Sequence, residues 1–284
     1  MKATAIPTVC YAIASASALV FYAGFSRLYG DQLLGAAILI SSTMSILQIA
    51  VVPQAWAYIL ASPSQAELVK RFSAGVMAEV AGGLAGLCVV LVVSVLPIPI
   101  IRQYSTDALL IYCSLWVAGS TSTQGYFRAQ ERWAWFATWV LLPNALRVSL
   151  LFLLPWASRA DFVDGTLVFD AHLLFFVYFL LPELVGRVIV TNTPLLIRHF
   201  RLLSVHEFVT GLRHIGHNWL FDIGSALTET ADKVVVGALL GPQLLVPYFF
   251  GRKEAQSRQC LLNLITLNSI GDWPQPNMVT GAGK

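Results

Sequence analysis

Seven apolar runs dominate this chain, at residues 3–25, 33–58, 72–96, 108–127, 133–156, 172–196 and 215–240. Each has roughly the 20 residues that a helix needs to cross a bilayer. Backbone polar groups have no water to bond in that medium, so spans of this length must be helical. The chain is 57% hydrophobic and 12% charged, against about 25% charged in an ordinary soluble domain. It could not cover its own surface in water. The predicted class is therefore an all-α integral membrane protein.

Lys and Arg set the expected orientation. The N-terminus and the second, fourth and sixth connections carry Lys2, Lys70, Arg71, Arg128, Arg132, Arg198, Arg201 and Arg213. The first, third and fifth carry Arg27, Arg102 and Arg159. The bias predicts a multi-pass protein with a cytoplasmic N-terminus. The net charge of +3 is spread between apolar runs, so no nucleic-acid partner is expected. Cys10, Cys88, Cys113 and Cys260 show neither metal-ligand nor redox spacing. No cofactor, metal or enzyme site is expected.

Charges inside the runs are the candidate functional residues, because an ionised group at bilayer depth faces a protein interior or a wet cavity. In the seventh run Asn218, Asp222, Ser225, Glu229 and Lys233 recur at helical spacing, with Asp232 at the edge of that face. Leu220, Leu227 and Val234 fall opposite. Glu229–Lys233 and Glu183–Arg187 are i,i+4 pairs, acid first. Pro182 beside Glu183 is expected to kink its helix and free a carbonyl. Arg147 lies midway along the fifth run. It suits either a carboxylate from a neighbouring helix or a bound phosphate. Glu79 reads as a cavity carboxylate or as a solvated group near the interface. Ala74, Ala78, Gly82 and Gly86 form a row that lets helices approach closely. Trp56, Trp116, Trp133, Trp135, Trp139 and Trp156 read as interface anchors. The histidines around the sixth connection, His199, His206, His214 and His217, lack metal-ligand order.

Leu28-Tyr29-Gly30-Asp31-Gln32-Leu33-Leu34 and Leu239-Leu240-Gly241-Pro242-Gln243-Leu244-Leu245 share a Leu-x-Gly-x-Gln-Leu-Leu pattern. They follow the first and seventh runs, six spans apart and so on the same side. Such parity suits parallel six-helix repeats. The expected organisation is a six-helix N-terminal lobe over residues 1–200. A cytoplasmic loop and the first helix of a second lobe follow over 201–250, then a polar, disordered tail over 251–284.

These segments resemble a known family. Arg27, Gly30 and Gly35 match the Arg-x-x-Gly-x-x-x-x-Gly turn after the first helix of polysaccharide (O-antigen type) flippases, within the multidrug/oligosaccharidyl-lipid/polysaccharide exporter superfamily. Asp232-Lys233, Gly237 and Gly241 match the Asp-Lys-x-x-x-Gly-x-x-x-Gly pattern of the seventh helix. Gly125-Tyr126-Phe127-Arg128-Ala129-Gln130 is similar to the end of the fourth. Val246-Pro247 stands where the family has Gly-Tyr, just before Tyr248.

The resemblance implies two lobes around a central cavity in the cell inner membrane. It implies translocation of an undecaprenyl-diphosphate-linked glycan by alternating access, with a coupling cation or proton. The substrate would be a lipid-linked oligosaccharide. The candidate cavity residues are the polar groups within the runs, Arg147, Glu183, Arg187, Asn218, Asp222, Glu229, Asp232 and Lys233. The family has twelve to fourteen helices; an authentic short tail and an early end of the reading frame are both open readings, and the repeat, which calls for five more helices, favours the second. The incomplete chain would then be inactive by itself or borrow a lobe in an oligomer. Rival readings are a drug or lipid exporter of the same superfamily, a non-catalytic membrane subunit, and an integral-membrane transferase. The last would draw on Asp161, Asp164 and Asp170.

Overall fold

A computed structural model describes residues 2–96, 99–158 and 171–251. The connection bearing Arg159, Asp161, Asp164 and Asp170 lies outside the described residues, as does the tail from Arg252. So do the side chains of Lys2, Arg102, Trp156, His217, Asn218 and Glu229.

Regular structure among the described residues is helical. The elements are α1 (Lys2–Tyr29), α2 (Asp31–Val51), α3 (Trp56–Leu60), α4 (Gln65–Ser94), α5 (Pro99–Ala118), α6 (Thr121–Ala129) and α7 (Trp133–Ser158). Helix α8 runs unbroken from Ala171–Phe175 to Thr193–His199. It includes two wide π-helical stretches, Phe176–Leu180 and Leu184–Asn192. Helix α9 covers Val205–Leu240, and residues 242–251 are helical again. Five of these helices, α1, α2, α4, α7 and α8, are long and apolar enough to cross a membrane. Helix α5, stopped at Ala118, and α9, which carries Asp222, Glu229, Asp232 and Lys233, are not among them.

Two runs expected to be continuous are broken. Helix α2 ends at Val51 because Val52 precedes Pro53, and a residue before proline is pushed out of the helical region. Val52 is accordingly extended, at φ −104° and ψ 105°. The fourth run divides at Gly119-Ser120 into α5 and α6. The loose ends support each other. Thr121 Oγ1 accepts the Ala55 N–H at 3.0 Å and donates to Glu79 Oε1 at 2.8 Å. The Ser122 N–H also donates to Glu79 Oε1, at 2.8 Å. Glu79 is thus neither a cavity carboxylate nor a solvated one. It is buried and caps α6, its Oε1 accepting the Ser122 N–H in that helix's first turn.

The row of small residues on α4 seats it against α2 and α9. A β-carbon at Gly82 would fall 2.2 Å from the Val51 carbonyl oxygen. Ala74 meets α9 at Gly211. Trp116 and Trp139, expected at the interface, face inward instead. Trp116 Nε1 donates to the Glu79 carbonyl at 3.1 Å, and Trp139 is buried.

The repeated turn has one geometry in both places. Gly30 has φ 88° and ψ 157°; Gly241 has φ 87° and ψ 161°. This region is essentially confined to glycine. Each glycine N–H bonds the carbonyl four residues earlier, and a helix restarts at the next residue. Helix α2 packs along α9, so closely that a β-carbon at Gly35 would meet the Pro242 carbonyl.

Two apolar cores flank a polar layer. Phe21, Phe25, Leu34, Ile38, Ile111, Leu151, Phe175 and Tyr178 form one. Ala55, Ile59, Phe72, Tyr126, Phe136, Trp139, Leu195 and Ile215 form the other. Along α2, α7 and α8 the residues between those two sets are Ser41–Ser45, Arg147, and Glu183 with Arg187. The second core lies toward the end where the α3–α4, α6–α7 and α8–α9 connections meet. There the Arg201 N–H donates to Ser73 Oγ at 3.1 Å, Lys70 lies 3.8 Å from Glu207, and His199 rests on Tyr126. Arg132 and Arg201 lie in these connections, and Lys70, Arg71, Arg128 and Arg198 lie in the helical turns that flank them.

Candidate substrate cavity

Pro182 sets the layout of the polar layer. It has no N–H to offer the carbonyl of Tyr178, four residues earlier. Arg147 Nε donates to that carbonyl at 3.2 Å. The neighbouring Phe179 carbonyl accepts Ser114 Oγ at 2.8 Å. A local disruption of α8 thereby anchors side chains from α7 and α5.

Glu183 sits at the centre, 1% exposed. Arg147 Nη2 donates to its Oε1 at 2.6 Å. Arg187 Nε lies 2.8 Å from Oε2, a charge contact without hydrogen-bond alignment. One carboxylate thus holds two guanidinium groups. Two further donors are used as well. Arg147 Nη1 reaches Asn144 Oδ1 at 3.4 Å. Arg187 Nη1 donates to the Ala118 carbonyl, the last of α5, which the break at Gly119 leaves without its next helical turn. The Arg187 guanidinium also lies 4.2 Å from the Trp139 ring centre. Of the two readings of Arg147, the carboxylate from a neighbouring helix is the one present here. Arg147 also borders a cavity.

That cavity has a volume of about 320 Å³ and is lined from α1, α2, α5, α7, α8, α9 and the helix over 242–251. Arg147, Arg187 and Lys233 bring cationic groups to it, and Glu183 brings a carboxylate. Ser41, Ser42, Ser45, Ser114 and Thr230 bring hydroxyls. Tyr22, Phe179 and Phe249 supply aromatic wall. The hydroxyls carry no charge and were not singled out from sequence. The dense Ser41-Ser42-Thr43-Met44-Ser45 stretch inside an apolar run was the available signal.

The face of α9 divides. Lys233 and Thr230 border the cavity. Asp232 accepts the Tyr248 hydroxyl and the Lys233 N–H and lies off the cavity wall. Asp222 is half-buried, and Ser225 is exposed. Leu220 and Leu227 are exposed on the opposite side, as their spacing suggested. The side chains of Asn218 and Glu229 lie outside the described residues. No group of His, Cys, Asp and Glu able to hold a metal occurs among the described residues. His214 stacks on Tyr58.

Chemically, the layer offers planar guanidinium forks, an ammonium and hydroxyls around one buried carboxylate. Such a set recognises a multiply charged oxyanion, phosphate or carboxylate, by paired charge-assisted hydrogen bonds. No protein-family model, curated protein or solved structure matches this chain.

Proposed function

We propose that the chain belongs to a lipid-linked polysaccharide flippase, moving an undecaprenyl-diphosphate-linked glycan across the cytoplasmic membrane by alternating access. The observation that carries this reading is the polar layer. It places Arg147, Arg187 and Lys233 around a cavity between two apolar cores. A volume of about 320 Å³ lies at the small end for ligand sites. It suits a diphosphate with its first sugar; the prenyl tail would stay in lipid.

On this reading residues 1–200 form a six-helix lobe, and α9 opens a second. The identical Gly30 and Gly241 turns support that arrangement. The basic connections lie in the cytoplasm by the positive-inside rule, which also puts the N-terminus there. Helix α9 crosses despite its charges because Lys233 and Thr230 border the cavity. The acidic residues of α9, Asp222 and Asp232 among them, are the candidates for a coupling cation or proton.

Photo-crosslinking tests the proposal. A benzophenone side chain at Ser45 or Ser114 should form an adduct with a radiolabelled polyprenyl-diphosphate saccharide in native membranes. A probe at the exposed Val92 should not. Labelling at Val92 and not in the cavity would refute the site. Efficient labelling by cationic drugs, uncompeted by the diphosphate lipid, would support the drug-exporter reading instead.

A further inference from the structure

The most exposed large apolar side chains on α9 and its approach lie at the basic end. Leu202 is 81% exposed and Val205 80%. Val209 and Leu212 are exposed too, as is Ile197 at the end of α8. Their arrangement is regular. The first three turns of α9 divide into three sectors. Phe208, Gly211 and Ile215 face the protein. His206, Thr210 and Arg213 form an exposed polar sector. Val205, Val209 and Leu212 make an exposed apolar stripe between these two. That stripe continues along the same helix face to Leu220 and Leu227, in the part of α9 proposed above to cross the membrane.

Length makes the same point. The 36 residues of α9 extend about 54 Å at 1.5 Å per residue, well beyond the hydrocarbon thickness of about 30 Å. The first turns must therefore lie at or beyond the headgroups. A water-facing stretch would have no use for an apolar stripe there. Flanking charge identifies the surface it meets. Arg198, Arg201 and Arg213 are exposed beside the stripe. The one acid between residues 197 and 214 is Glu207, which is engaged by Ser204, Arg201 and Lys70. Apolar side chains beside arginines are the composition of a helix seated in an anionic interface.

We infer that the α8–α9 elbow is a membrane-interface foot: Leu202, Val205 and Val209 insert among acyl chains, and Arg198, Arg201 and Arg213 bind anionic phospholipid headgroups. This site lies at the membrane surface, apart from the cavity, and does not depend on what the cavity carries.

The test uses the full chain with Cys10→Ser, Cys88→Ser, Cys113→Ser and Cys260→Ser, in nanodiscs of phosphatidylcholine with and without phosphatidylglycerol. Spin labels at Leu202→Cys, Val205→Cys and Val209→Cys should be relaxed by oxygen more than by a nickel chelate. Labels at His206→Cys and Thr210→Cys should show the reverse. The first three should move deeper when phosphatidylglycerol is added. In a second measurement, Arg198→Gln/Arg201→Gln/Arg213→Gln in the otherwise unaltered chain should lower the preference for spin-labelled phosphatidylglycerol over phosphatidylcholine. The expected drop is at least about fivefold, the effect of one arginine at an anionic surface. Nickel accessibility at Val205 and Val209 equal to that at His206 would overturn the inference. So would shielding from both reagents, which would mean a protein partner or a second copy covers the stripe. Indifference of both readouts to headgroup charge would also overturn it.

Discussion

Glu183 is the residue on which the interior depends. Itself almost without solvent exposure, it pairs with two arginines at once and offsets one of their two positive charges. Removing one member of a buried ionic set costs about 3–5 kcal/mol, because the others stay buried and unpaired. Glu183→Gln should therefore lower the thermal midpoint in detergent far more than Arg147→Lys. Replacing the whole set, as Arg147→Met/Glu183→Leu/Arg187→Met, removes the desolvation penalty together with the attraction and should restore much of that stability. Thermal unfolding of the three variants followed by tryptophan fluorescence checks this; a triple variant weaker than Glu183→Gln would count against it. Glu207 makes a residue-scale prediction about pH. Hydrogen bonds from the Ser204 backbone and then its hydroxyl hold the Glu207 carboxyl below the usual carboxylate range. A depressed pKa contributes stability above the unfolded value and loses it as pH falls through the folded one. The capping box of α9 should then survive mild acid. Hydrogen exchange of the 205–208 amides, corrected for intrinsic rates, should lose protection only below the ordinary glutamate range. Ser204→Ala should move that loss to higher pH.

Among the elements, the two glycine turns make the sharpest statement. Gly30 and Gly241 occupy a backbone region that costs other residues about 1–3 kcal/mol. Gly30→Ala and Gly241→Ala should each destabilise by that amount. Gly216→Ala, in a helix with open space around it, should be neutral or stabilising. Equal effects at all three sites would remove the case for a shared turn. The repeated motif that marked these turns was legible because glycine has a positional meaning there. The helix breaks were less so. Pro53 and Gly119-Ser120 stand in plain view, but the residues on both sides remain apolar, so hydropathy alone runs through them. The π-helical stretches of α8 had no sequence signal beyond Pro182. Arg147, Glu183 and Arg187 could be picked out because charge in an apolar run demands a partner. That they meet in one triad follows from which faces of α7 and α8 oppose each other, and one-dimensional spacing does not contain that. The serines of α2 escaped notice because a hydroxyl in a helix can bond its own backbone, as Thr43 does to Leu39.

For the whole molecule, the gathering of Lys70, Arg71, Arg128, Arg132, Arg198 and Arg201 in and beside the connections of one end predicts that this end faces the cytoplasm. Cysteines introduced at Gln65 or Glu131 should react with an impermeant maleimide only in inverted vesicles. One introduced at Asp31 should react in intact spheroplasts. The opposite pattern would invert the topology and place the lipid-binding foot on the other leaflet. The interior polar layer is proposed to recognise a diphosphate carried on a lipid. Its most direct test is equilibrium binding of a short polyprenyl-diphosphate saccharide to the purified protein in nanodiscs, with the matching neutral prenyl glycoside as control. The account predicts saturable binding of the diphosphate alone. Arg147→Gln should weaken it by about ten- to hundredfold, the range for losing a charge-assisted hydrogen bond, and the apolar triple variant should abolish it while remaining folded. Equal affinity for the neutral glycoside, or undiminished binding by the folded triple variant, would contradict the account.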